Sequence, residues 1–288
     1  MMRSAPHPRN EFGNEDAAQD LYGLGVRLGF YLQALAMILY LYGDEKNYGK
    51  GLKIASGSIT VSILASWFNY AAEAAFSPSE AIVVLMILMS LSFPAKYTLL
   101  NPRTIMDETI GVITLLLTEL ATCTALLWTF SSLVHTLPRL GTPNVMFFFS
   151  PVSLTGWFRY LALVYLVIDA ITSLYLAYRI VCVLMIVWKC YAANRRELYE
   201  EESAQIVKII KWSEDQFMLT IILWLVWVFA IVAVETTLQW NHLTPLNDLR
   251  SPGQLIPFVT GCILLIDSIS VAAREHVPSK AVIETSSS

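Results

Sequence analysis

Charge is scarce in this chain. Charged residues make up 15% of its 288 positions, against about a quarter in ordinary soluble proteins. The shortage excludes a disordered polyelectrolyte, and a net charge of −4 excludes a basic nucleic-acid binder. The four cysteines (Cys123, Cys182, Cys190, Cys262) fall in or beside apolar runs and form no CxxC pair. They read as small hydrophobes rather than as a disulfide frame. The four histidines are scattered without metal-ligand spacing, so no metal is expected. There is no P-loop, no GxSxG elbow and no GxGxxG after a strand, so no nucleotide cofactor is expected either. No aspartate-rich DDxxD or NxxxDxxxD cluster is present to hold Mg²⁺ against a diphosphate. No Asn-x-Ser/Thr acceptor occurs.

What fills the chain is hydrocarbon. Hydrophobic residues are 56% of the total, and the mean hydropathy is +0.55. A bilayer core about 30 Å thick needs roughly 20 apolar residues at about 1.5 Å each. Seven stretches meet or approach that length: about 23–43, 52–75, 79–99, 109–134, 158–188, 216–239 and 254–273. The expected fold is an all-α polytopic bundle of seven helices, with an eighth span possible. It occupies 21–274, between a polar, disordered tail over 1–20 and a C-terminal tail over 275–288. Residues 144–158 are apolar but short and interrupted by Pro151, which suggests an interfacial or re-entrant piece. Over about 192–214, Leu198, Ile206, Ile209 and Ile210 alternate with charges, as in an amphipathic surface helix.

Orientation follows from Lys and Arg. Arg3, Arg9, Arg27, Arg139, Arg159 and Arg250 fall on one side. Lys46, Lys50, Lys53, Lys96, Arg103, Lys189, Arg195, Arg196, Lys208, Lys211, Arg274 and Lys280 fall on the other. This bias predicts an outside or lumenal N-terminus and a cytosolic C-terminus in an endomembrane such as the endoplasmic reticulum.

The chemistry resides in carboxylates within the apolar helices: Glu73, Glu119, Asp169, Glu235 and Asp267. Each costs about 2.5–3.5 kcal/mol to insert unpaired. Arg179 is the one base expected among them, so most are expected to be protonated or to line a wet cavity. Tyr165 lies four residues before Asp169, Tyr70 three before Glu73 and Trp224 eleven before Glu235, spacings that put each pair near one helix face. A neutral acid beside aromatic walls can protonate an alkene or epoxide and stabilise the cation that follows.

The string DLYGLGVRLGFYLQ (Asp20–Gln33) resembles the opening of a group of fungal polytopic membrane proteins. Gly23, Gly25 and Gly29 within it read as close-approach positions for a neighbouring helix. In size, helix number and embedded acids the chain also looks like the integral-membrane terpene cyclases of fungal meroterpenoid biosynthesis. That likeness implies a metal-independent cyclase of isomerase or lyase type, acting on a lipophilic prenylated substrate. Glu119 and Asp169 are then the leading acids, with Tyr165, Trp128 and Trp224 as cation-stabilising walls. The same acids fit a proton or cation path in a transporter or channel, although no internal repeat is visible. A seven-helix receptor or sensor, with 189–215 facing a cytosolic partner, is the third expectation. Beyond the bilayer and a lipophilic small molecule, no partner is implied.

Overall fold

The computed structural model describes residues 14, 17, 20–40, 50–100, 109–192, 216–243, 249 and 251–276. Seven long helices occur among the described residues: α1 Leu24–Tyr40, α2 Lys50–Ala72, α3 Pro78–Leu100, α4 Thr109–Trp128, α5 Trp157–Ala192, α6 Gln216–Trp240 and α7 Pro252–His276. α4 continues through a π-turn (Thr129–Leu133) to Thr136. Five helices are long and apolar enough to cross a membrane, in α3, α4, α5, α6 and α7. α1 is a shorter apolar helix. The amphipathic segment beyond Ala192 and the C-terminal tail beyond His276 lie outside the described residues, and Glu275 and His276, expected in the tail, still belong to the last helix.

α3 is the hub. Of its apolar window 83% is buried, against 17% for α5, which packs mainly on α4 at the edge of the bundle. The outward faces of α5, α6 and α7 carry Ile168, Ile171, Leu225, Val228, Ile263 and Ile266, all at least half exposed or nearly so, as lipid-facing surfaces do. The start of α3 is a capping box. Ser77 Oγ accepts the Glu80 N–H, and Glu80 accepts the Ser77 N–H, with Pro78 at the first helical position. Glu80 is wholly buried and also accepts the Tyr22 hydroxyl and the Asn14 N–H. Asn14 and the buried Ala17 therefore pack onto the bundle, and the expected polar tail is ordered at these points.

α1 makes its most extensive contact with α7. A Cβ on Gly25 would overlap the Gln254 carbonyl, and one on Gly29 would overlap the Pro257 carbonyl. Gly261 faces Gly29 from the other side. Without side chains there, two backbones meet directly, the close approach expected of small residues between membrane helices.

Within the segment expected to be interfacial or re-entrant, residues 145–153 form a β-hairpin, β1 Val145–Phe148 with β2 Ser150–Ser153, and Trp157 and Phe158 already belong to α5. It lies along α6. The Asn241 amide oxygen accepts the Val145 N–H and its amide NH₂ donates to the Val145 carbonyl. Thr237 Oγ1 accepts the Phe147 N–H. These side chains complete the strand edge, which hydrocarbon could not satisfy. At the tip, the Phe149 ring meets Phe229 of α6 at 5.6 Å. Below the hairpin, Arg159 donates to the Phe130 and Ser131 carbonyls in the π-turn of α4.

Replacing Gly29 with Val should lower stability by about 1–3 kcal/mol through overpacking. Thermal unfolding in detergent reads this directly; an unchanged midpoint would mean that α1 and α7 are farther apart than described.

Candidate functional site

Three helices converge on one ionic cluster. On α3, Met89, Ser92, Phe93 and Lys96 fall at helical spacing along one face, and on α4, Glu119, Thr122, Cys123 and Leu126 do the same. Tyr165 and Asp169, one turn apart on α5, close the third side. Lys96 Nζ lies 2.7 Å from Glu119 Oε1 and 2.5 Å from Asp169 Oδ1. Glu119 is 5% exposed, Asp169 16% and Lys96 21%, so the ammonium is shared between two largely buried carboxylates. Fully ionised, the three side chains sum to one negative charge. The cavity they border is about 10 Å³, room for a single water.

Helix rise places the cluster. Lys96 lies about 27 Å along α3 from Pro78, and Glu119 about 25 Å back from the end of α4 at Thr136. The cluster thus sits toward the end of the bundle where α3 finishes and α4 begins. Pro94, two residues before Lys96, deprives α3 of one backbone hydrogen bond close by.

The other expected acids are elsewhere. Glu235 pairs with the buried Arg27 near the opposite end, and the Tyr31 hydroxyl donates to its second oxygen at 3.1 Å. The Tyr40 hydroxyl donates to Asp267 between α1 and α7. Glu73 is exposed beyond the last turn of α2 and accepts a hydrogen bond from Asn69. Five acids therefore occupy four places, and only Glu119 and Asp169 meet.

Of the aromatic residues expected as walls, Tyr165 lines the cluster. Trp128 stacks on Phe68 at 6.2 Å, against α2, nine residues along α4 from Glu119. Trp224 packs edge-on against Trp227, 5.7 Å away, and it is Trp227 that supports Tyr31 by donating to its carbonyl.

The expectation that most acids lack a cation is corrected. Lys96 and Arg27 supply the charges for Glu119, Asp169 and Glu235, whereas Arg179 is in none of these pairs among the described residues. Counting both cations with the aqueous flanks missed them, because each lies within a few residues of a helix end. Glu80 was also missed, although Ser77-Pro78-Ser79-Glu80 carries the spacing of a capping box.

Removing one member of a buried ion cluster leaves charge uncompensated, at a cost of about 3–5 kcal/mol. Lys96→Met should therefore lower the unfolding midpoint sharply. Adding Glu119→Gln and Asp169→Asn to Lys96→Met should restore most of the loss. Additive losses in the triple variant would show that the three side chains are not one electrostatic unit.

No protein-family model, curated protein or solved structure matches the chain.

Proposed function

We propose that the protein is a proton-coupled membrane transporter whose exchange site is Lys96, Glu119 and Asp169. The observation that carries this reading is the sharing of one ammonium by two buried carboxylates. Such a site holds a surplus negative charge that hydrocarbon penalises, and a proton or a second cation relieves it. One occupant then excludes the other, which is the elementary requirement for exchange.

The packing supports a division of labour. Lys96 and Glu119 stand on the inner helices, while Asp169 stands on α5, the helix with the least burial of its apolar window. Movement of α5 relative to α3 and α4 would separate Asp169 from Lys96 without disturbing the hub. Gln33, wholly buried in α1, has no hydrogen-bond partner for either amide atom among the described residues. Leaving such groups dry costs about 1–3 kcal/mol, which water entering beside α1 would offset.

The acid-initiated cyclase has one supporting contact, Tyr165 beside Asp169 in the same cluster. That chemistry calls for a free carboxylic acid facing a pocket of roughly 300 Å³ or more. Here both acids engage Lys96 and the cavity is about 10 Å³, so exchange is the better supported reading. The receptor reading depends on 189–215, most of which lies outside the described residues.

We further propose that the N-terminus is lumenal or external and the C-terminus cytosolic, in an endomembrane. Arg27, Arg159 and Lys96 are bonded within the bundle. Setting them aside leaves four Lys and Arg on the N-terminal side and eleven on the other, a bias that supports this orientation.

In proteoliposomes bearing a pH gradient, an internal pH dye and sodium or potassium as the exchanging cation, the wild-type protein should dissipate the gradient. Glu119→Gln and Asp169→Asn should fall to the rate of empty liposomes. A wild-type rate equal to that of empty liposomes would remove the transport reading. Accumulation of a less cyclised isomer on gene deletion would favour the cyclase instead.

A further inference from the structure

We propose that the carboxylate pair binds the ammonium group of a small lipophilic amine, and that Lys96 is the internal ammonium holding the site between substrate molecules. This rests on the transport reading and names the substrate class of the same site. The group between Glu119 and Asp169 is already an alkylammonium, held at 2.7 Å and 2.5 Å. An ammonium has three donors, and these two carboxylates engage two of them. An external amine offers the same head to the same oxygens.

The walls suit the rest of such a molecule. Phe93 and Tyr165 contribute aromatic surface to the lining, and Met89 and Leu126 add aliphatic surface. Both rings are partly exposed at the side of the bundle, Phe93 at 36% and Tyr165 at 45%. Val164 and Ile168, next to Tyr165 on α5, are more exposed still. The site therefore opens sideways onto lipid-facing surface, where a lipophilic amine concentrates, rather than along the bundle axis.

Competition follows from the space available. About 10 Å³ cannot admit an amine beside Lys96, so the lysine must leave. It has somewhere to go. Lys96 is four residues from the end of α3, and its four-carbon stem allows the ammonium to reach headgroups at that end. A divalent metal fits poorly, because Ca²⁺ takes six to eight oxygens and no metal-ligating cluster occurs among the described residues.

The test uses the full chain in nanodiscs with n-hexylamine as probe, and n-hexanol and sodium chloride as controls. Lys96→Met removes the internal competitor and should bind hexylamine about 10- to 100-fold more tightly than wild type. Glu119→Gln and Asp169→Asn should lose binding, and neither hexanol nor sodium should displace the amine. Should Lys96→Met fail to fold, the wild-type protein carries the test. Acylation of Lys96 by a reagent kept in large molar excess over the hexylamine, followed by peptide mass spectrometry, should speed up when hexylamine is bound, because the lysine head is released from the carboxylates. Unchanged acylation, unchanged affinity in Lys96→Met, or equal displacement by sodium would overturn the proposal. Amine binding without proton flux would leave this inference standing and remove transport. Sodium- or potassium-driven proton flux without amine binding would do the reverse.

Discussion

A charge placed in hydrocarbon has to be neutralised by the protein's own groups, and that requirement ties together parts of this chain that are far apart in sequence. Lys96 answers acids 23 and 73 residues away, and Arg27 answers one 208 residues away. Each pair fixes the rotation of the helices that carry it, because a carboxylate turned to lipid loses its partner and its solvation together. Non-directional apolar packing cannot specify rotation in this way, since lipid is as apolar as leucine. The Lys96 cluster thus helps decide which faces of α3, α4 and α5 look inward, whereas Glu235, 45% exposed, reaches the buried Arg27 from an outer face of α6.

The scaffold around the clusters is graded in rigidity. α3 is capped by its own Ser77 and Glu80 and pinned by Tyr22 and Asn14, and it is enclosed almost throughout. α1 and α7 are locked backbone to backbone through glycine. The hairpin is stitched to α6 by Asn241 and Thr237. α5 has the least of its apolar window buried among the five membrane-length helices, yet it carries Asp169, one of the two carboxylates that share Lys96. Placing a charged ligand on a loosely held helix is an arrangement suited to opening and closing a site.

Much of this architecture was legible in the amino-acid sequence. All seven helices fall within a few residues of the apolar stretches, because long runs without charge have few other uses. The glycines of α1 were legible as close-approach positions, and Glu119 and Asp169 as acids enclosed in hydrocarbon. Their meeting was not, since local spacing says nothing about which faces of separate helices turn toward each other. Lys96 was hidden by its place near the end of α3, where a lysine ordinarily faces water. The hairpin was hidden because its strands are four residues each, too short to show alternation, and its edge is completed by side chains about 90 residues later. Trp128 and Trp224 share helices with the acids but not the space around them.

Exchange at the triad requires a carboxylate that takes up and releases a proton inside the bundle. Infrared difference spectroscopy of the reconstituted protein, cycled between acidic and neutral buffer, observes this directly. A protonated-carboxyl stretching band should appear on acidification and be lost in the double variant Glu119→Gln with Asp169→Asn. A band that persists unchanged in the double variant, or no band at all in the wild type, would contradict exchange at the triad.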